Sequence, residues 1–295
     1  MNTWLRRGLW GLLVLVLAVA ALTAIGLSMG EQRRTRTVTA PTRTVALPTD
    51  AAALERGRYL FTSRGCAECH GANGAGKVFI DDGKGMKVKS PNISPGPGSV
   101  VADYKTQDWV RTIRHGAKPN GQPVFIMPSE DYNRLTDADT GALIAYAKSL
   151  APVPGKAAAF ELPMPLRVLY GFGQIPDAAM RIDHSLPVAT PVAEGVTVEH
   201  GQYVAQMCQG CHGAKLEGGK VPGGPPDWPP AARLSGAAAD NVMSRYADAD
   251  ALKKLFKTGK RADGSAVAVM PFETLGAISD VDVSALHAYL KSLPR

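Results

Sequence analysis

The chain has 295 residues, 45% of them hydrophobic and 20% charged, with a formal net charge of +7 and a sequence pI near 9.2. That length suits two ordinary domains. The charge excludes less than it suggests, because residues 1–50 hold six arginines against Glu31 and Asp50, leaving 27 basic and 24 acidic side chains in 51–295. The basic excess belongs to the N-terminal segment, and no nucleic-acid partner is expected.

From Gly8 to Gly30 there are 23 residues without a charge, preceded by Arg6 and Arg7. Roughly 20 helical residues cross a ~30 Å hydrocarbon core, so this run predicts a transmembrane helix. Ala18-Val19-Ala20 offers a signal-peptide cleavage site, but the apolar run continues past it, which favours an uncleaved anchor. Arg33, Arg34, Arg36 and Arg43 follow the span and outnumber the two arginines before it, which by loop charge alone would place the C-terminal side in the cytoplasm. Residues from Thr35 to Asp50 are rich in Thr, Pro and Arg and read as a flexible tether, so 1–50 form an anchor and tether.

Cys66-Ala67-Glu68-Cys69-His70 and Cys208-Gln209-Gly210-Cys211-His212 are two Cys-x-x-Cys-His motifs that use all four cysteines. Two thiols at this spacing form thioethers to a porphyrin, and the adjoining histidine reaches the iron. A four-cysteine zinc ribbon would bring its pairs within roughly 15–20 residues; these start 142 apart. A thioredoxin-like pair needs no histidine after the second cysteine. Two covalent c-type haems are therefore expected, with Cys66, Cys69, Cys208 and Cys211 as attachment points and His70 and His212 as metal ligands.

A shift of 143 places Leu135–Leu150 on Ile278–Leu293 with nine of sixteen positions identical. Leu54–Tyr59 matches Val198–Tyr203 at a shift of 144, so 51–155 and 194–295 are copies of one unit. Thr136 and Ser279 are the expected N-caps of the terminal helices, and Tyr146 and Tyr289 are expected to pack along them. Between the units, residues 156–193 include the apolar stretch 162–175. It either packs across both domains or forms a docking surface for a membrane partner.

The distal ligand decides the function class. Met127-Pro128 lies 57 residues after His70, and Met270-Pro271 lies 58 after His212, in segments that align without gaps. A lone methionine is usually core filler; two at the same position of a duplicated haem unit are expected metal ligands. His115, the rival in the first unit, aligns with Thr258, while His184, His200 and His287 lack repeat partners. They are expected outside the ligation.

Both units resemble class I cytochrome c domains. The resemblance implies an all-α fold, an N-terminal transmembrane helix followed by two tandem cytochrome c-like domains, and His/Met ligation. It also implies haem attachment outside the bacterial cytoplasmic membrane, which overrules the charge count and puts the haem domains in the periplasm on a single-pass inner-membrane anchor, with the arginines after the span against anionic headgroups. Pro91-Asn92-Ile93 and the Asn120-Gly121 turn before Met127-Pro128 resemble the membrane-bound cytochrome subunits of bacterial alcohol and gluconate dehydrogenases. Those usually carry three haem motifs, whereas this chain has two. By the same resemblance Pro91 accepts a hydrogen bond from the proximal histidine, with Pro229 or Pro230 as the looser counterpart.

The segment from Lys77 to Lys89, with Lys77, Lys84, Lys87 and Lys89, reads equally as a docking patch for an acidic redox partner or as a solvated loop. The function expected is electron transfer between a periplasmic dehydrogenase or quinol-oxidising complex and a terminal oxidase. A dihaem peroxidase with one open iron is the alternative, and an enzyme in its own right is not expected.

Overall fold

The computed structural model describes residues 2–83, 85–222, 224–225, 227–236 and 241–294. Helix α1 (Thr3–Thr35) is long and apolar enough to cross a bilayer. Its large apolar side chains from Trp4 to Ile25 are exposed, and only Gly26 and Gly30 are buried.

The first unit opens with α2 (Ala51–Ser63), capped by Asp50, followed by α3 (Cys66–His70). Strands β1 (Val78–Asp81) and β2 (Lys87–Lys89) form an antiparallel pair. Helices α4 (Thr106–His115), α5 (Ser129–Tyr132) and α6 (Asp137–Ser149) complete the unit. The connector supplies β3 (Ala159–Glu161), α7 (Met164–Gly171) and α8 (Ala178–Arg181). The second unit repeats the plan with α9 (Val198–Val204), α10 (Gln209–His212), α11 (Ala249–Thr258), α12 (Phe272–Leu275) and α13 (Asp280–Ser292).

Each unit is built on a crossing of its first and last helices. A Cβ on Gly57 would meet Ala142 O at 2.1 Å, and one on Gly201 would meet Ala285 O at 1.9 Å. Only glycine permits these two equivalent crossings. Thr136 and Ser279 cap α6 and α13 by accepting from the amides of Asp139 and Asp282, as the sequence implied. The apolar faces enclose two cores, one around Leu60, Phe61, Val110 and Ile144 and one around Val204, Leu252, Phe256 and Leu286.

Three expectations need correction. The fold is largely helical but not all-α, because the segment expected as a loop pairs into a three-stranded antiparallel sheet in the order β1-β2-β3. Its central strand buries Val88, flanked by Lys87 and Lys89, an alternation suited to a half-buried strand. Lys87 is paired with Asp81 at 3.2 Å while Lys77 and Lys89 are partly buried, which breaks up the basic patch; Lys84 lies outside the described residues.

The tether, second, is a seated strap. Val38 N donates to Gly121 O at 2.9 Å, Arg111 reaches Thr42, Val45 is buried in the first core, and Ala46 O lies against Gly141. The alternation Val45-Ala46-Leu47 lets the strap bury apolar side chains, which a solvated leash would not do.

Third, the arginines after the span are partly engaged within the protein. Arg36 makes a bidentate pair with the fully buried carboxylate of Asp177, both contacts at 2.7 Å, and Arg34 pairs with Glu31. Arg33 Nη1 contacts Met180 Sδ at 3.5 Å.

The units exchange side chains about a pseudo-twofold relation. Tyr59 donates to Asp282 at 2.6 Å, and its repeat equivalent Tyr203 donates to Asp139 at 2.7 Å. Arg56 closes one cluster by a bidentate contact with Asp139 at 2.9 Å, and its equivalent His200 closes the other through Nε2 on Asp282 at 2.8 Å. Arg64 adds a 3.1 Å contact to Asp282. The connector reinforces the junction, since Arg181 pairs with Glu130 of the first unit and donates to Gly210 O of the second at 2.6 Å.

Candidate haem sites

In the first unit, Gly65 in the left-handed region (φ 80°) turns the chain from α2 into α3, which carries Cys66, Cys69 and His70. His70 Nδ1 donates to Pro91 O at 3.0 Å. That carbonyl is held by its neighbours: fully buried Asn92 donates through Nδ2 to Pro97 O and Val153 O, and Ser90 Oγ donates to Cys69 O at 2.5 Å. Burial pushes the His70 pKa down, opposed by the Pro91 carbonyl, so the ring is neutral at pH 7. With Nδ1 committed, Nε2 is the nitrogen with a lone pair for iron.

The second unit repeats this geometry with another acceptor. His212 Nδ1 donates to Ala232 O at 2.7 Å, so neither Pro229 nor Pro230 serves. Every residue carries a carbonyl, and side-chain identity could not reveal which one would be chosen. Burial again lowers the histidine pKa.

Met127, partly buried, packs against the first core alongside Cys66 and Ala67, and Met270 packs against the second alongside Cys208. The turns after them are the same: Pro128 has φ −78° and ψ 63°, and Pro271 has φ −79° and ψ 72°. The methionine carbonyl then accepts from Ser129 N at 2.8 Å or from Phe272 N at 2.9 Å. Each unit thus supplies two thiols, an imidazole neutral at pH 7 and a methionine set beside its apolar core, a donor set that fits a covalently held haem.

His115 lines a cleft with Pro41 and Arg43 of the strap and His184 of the connector. Its Nδ1 donates to Nδ1 of His184 at 3.0 Å, and His184 Nε2 donates to Ala179 O at 3.1 Å. Burial, and then His184 and Arg114, push the His115 pKa down to about 4. His287 donates to Tyr246 O, and His200 is held by Asp282.

Residues 54–151 and 198–294 both match the family model described as cytochrome c. The chain belongs to the cytochrome c family. It is 28% identical to the fructose dehydrogenase cytochrome subunit of Gluconobacter japonicus, an alignment covering 94% of this chain and 59% of that protein. It is 27% identical to the gluconate 2-dehydrogenase cytochrome c subunit of Pantoea cypripedii, over 82% of this chain and 60% of the relative. Similarity to the cytochrome c subunit of the quinone-dependent alcohol dehydrogenase of Gluconobacter oxydans is 28%, over 83% and 55%. This cytochrome thus spans between half and two thirds of the length of these relatives. Two family segments, each with its own Cys-x-x-Cys-His, account for two covalently bound haems c.

The two motifs of this cytochrome also touch the opposite unit. Asp131 Oδ1 accepts from Gly210 N at 2.8 Å, while its repeat equivalent Thr274 donates to Glu68. Burial, and then Glu130, push the Asp131 pKa up to about 8. The folded chain binds this proton more tightly than the unfolded chain, so stability falls as pH rises from about 4 to about 8. Asp131→Asn keeps an acceptor for Gly210 and removes that loss. It is expected to leave the melting temperature unchanged at pH 4 and to raise it at pH 9 by several degrees. Equal shifts at both pH values would rule out ionisation as the cause.

Proposed function

We propose that this chain is a membrane-anchored dihaem electron carrier, with residues 1–50 as anchor and strap, 51–155 and 194–295 as haem domains, and 156–193 as their connector. His70 with Met127 and His212 with Met270 are the axial pairs. The matched Met-Pro turns carry this reading, since they set a thioether at the same place in both units, where a peroxidase would need one iron left open. Haem supplies a one-electron ferrous–ferric couple, and thioether ligation favours the reduced iron. The chain's own part is to fix the imidazole planes through Pro91 O and Ala232 O, to seat the methionine side chains against the apolar cores, and to lock the two units together.

The bulk of the chain lies in the periplasm, with α1 as a single pass through the bacterial inner membrane. The two covalent haems support this against the loop-charge count, since the family implies that c-type haem is attached outside the cytoplasmic membrane. The relatives named above support a periplasmic dehydrogenase as electron donor, with a quinol-oxidising complex as the other source and a terminal oxidase as acceptor.

Purification of the tagged chain from detergent-solubilised membranes tests the reading. A dehydrogenase is expected to co-purify and to reduce both haems when given its substrate, with negligible turnover of hydrogen peroxide. Sustained peroxide turnover would overturn the carrier assignment.

A further inference from the structure

The apolar connector segment settles on an element that lies outside both haem units. Helix α7 packs against the last turns of α1, where Gly26 and Gly30 face it. A Cβ on Gly171 would meet Gly26 O at 1.9 Å, and Val168 and Phe172 close over Gly26. The level of this contact follows from α1 itself. The uncharged run from Gly8 to Gly30 is about 34 Å long at 1.5 Å per residue, against a ~30 Å hydrocarbon core. Gly26 and Gly30 therefore fall at the outer edge of that core, and α7 is pinned at the same height.

Helix α7 has one face turned inward, with Tyr170 buried and its hydroxyl on Asp177 at 2.9 Å. Pro165, Leu169 and Phe172 are exposed at i, i+4 and i+7, the spacing of one helical stripe, with Met164 beside them and exposed Arg167 at the flank. Leu169 is 41% and Phe172 38% exposed. An apolar stripe continuous with the exposed surface of a membrane span, and basic at its margin, has the character of an element lying in the bilayer boundary.

We infer that α7 is an interfacial helix: Pro165, Leu169 and Phe172 lie in the outer boundary of the bilayer that α1 crosses, giving the haem domains a second membrane contact in the plane of the lipid. This rests on the proposed reading of α1 as a span. The contact fixes the orientation of the haem domains over the membrane, which a single vertical helix, free to rotate about its axis, leaves open.

The native cysteines are consumed by thioethers, so an introduced cysteine labels alone. Leu169→Cys, Phe172→Cys, Leu13→Cys in mid-span and Ser185→Cys on the exposed connector would each carry a nitroxide. The full haem-loaded chain would be measured in the ferrous state, in nanodiscs of phosphatidylethanolamine and phosphatidylglycerol. Labels at 169 and 172 are expected to show oxygen accessibility several-fold above nickel-chelate accessibility, shallower than at 13, with the reverse ratio at 185. A lipid environment at 13 with water at 169 and 172 would overturn the α7 contact and leave the span standing. Lipid at 169 and 172 with water at 13 would overturn the span and leave α7 as the membrane contact. Water at all three would overturn both.

Discussion

Asp282→Ala is expected to lower the stability of the folded, haem-loaded chain by about 3–5 kcal/mol, the range for removing one side of a buried charge cluster. The Asp282 side chain is fully buried and accepts from Tyr59, Arg64 and His200. Arg64 is 4% exposed, and without Asp282 its guanidinium has no countercharge at that contact. Two of the three donors come from the other unit, so the loss falls on the junction as well as on the second core. Asp139→Ala, at the equivalent position, is expected to cost only about 1–2 kcal/mol, because Arg56 is a quarter exposed and has Glu194 at 3.6 Å as a second acid. Denaturant unfolding at pH 7 measures both, and equal costs at the two positions would refute the asymmetry. Burial alone would raise the Asp282 pKa, but Arg64, Tyr59 and His200 together hold it below the ordinary value. Its contribution is therefore complete above about pH 4 and is lost as pH falls through the folded pKa.

Exchanging the axial methionines one at a time should separate the two haems. Met127→His and Met270→His are each expected to remove about half of the weak red band of iron–methionine ligation. Each should also lower one of the two midpoint potentials by tenths of a volt, within the ~0.8 V range set by axial ligands. The unaltered unit keeps its potential, so the pair of variants assigns a value to each domain. A full red band and two unchanged potentials in either variant would remove that methionine from the ligand set. His115→Ala is the control: this ring lines a cleft with Arg43 of the strap and His184 of the connector, so its loss should leave the band intact.

What was legible in the sequence was carried by side chains that recur. Thr136 and Ser279 announce helix starts because a hydroxyl before an acidic turn has few other uses, and Met127 and Met270 stand out only when the halves are superposed. The pseudo-twofold junction left a quieter signal in the same comparison. Tyr59 with Tyr203, and Asp139 with Asp282, are identical pairs whose outward reach cannot be told from helix packing until two units are docked. Other features left no side-chain signature. The choice of Ala232 O is a backbone choice, and the hairpin of β1 and β2 depends on β3, a strand about seventy residues further along the chain. Val45-Ala46-Leu47 is too short a run to mark burial in an otherwise polar stretch, and its burial depends on a groove built from elsewhere.

The seated strap has a kinetic consequence. Fifteen free residues, 36–50, would have a root-mean-square span of about 20 Å and let a soluble domain sweep the space above its anchor in search of reactants. With Val38, Thr42, Val45 and Ala46 laid along the first unit, that sweep is abolished, and under the anchoring proposed above the electron-bearing part would travel only as fast as α1 drifts in the lipid. On that reading the search for reactants is confined to two dimensions, and the reach of the haem domains above the membrane is set by the fold and not by a leash.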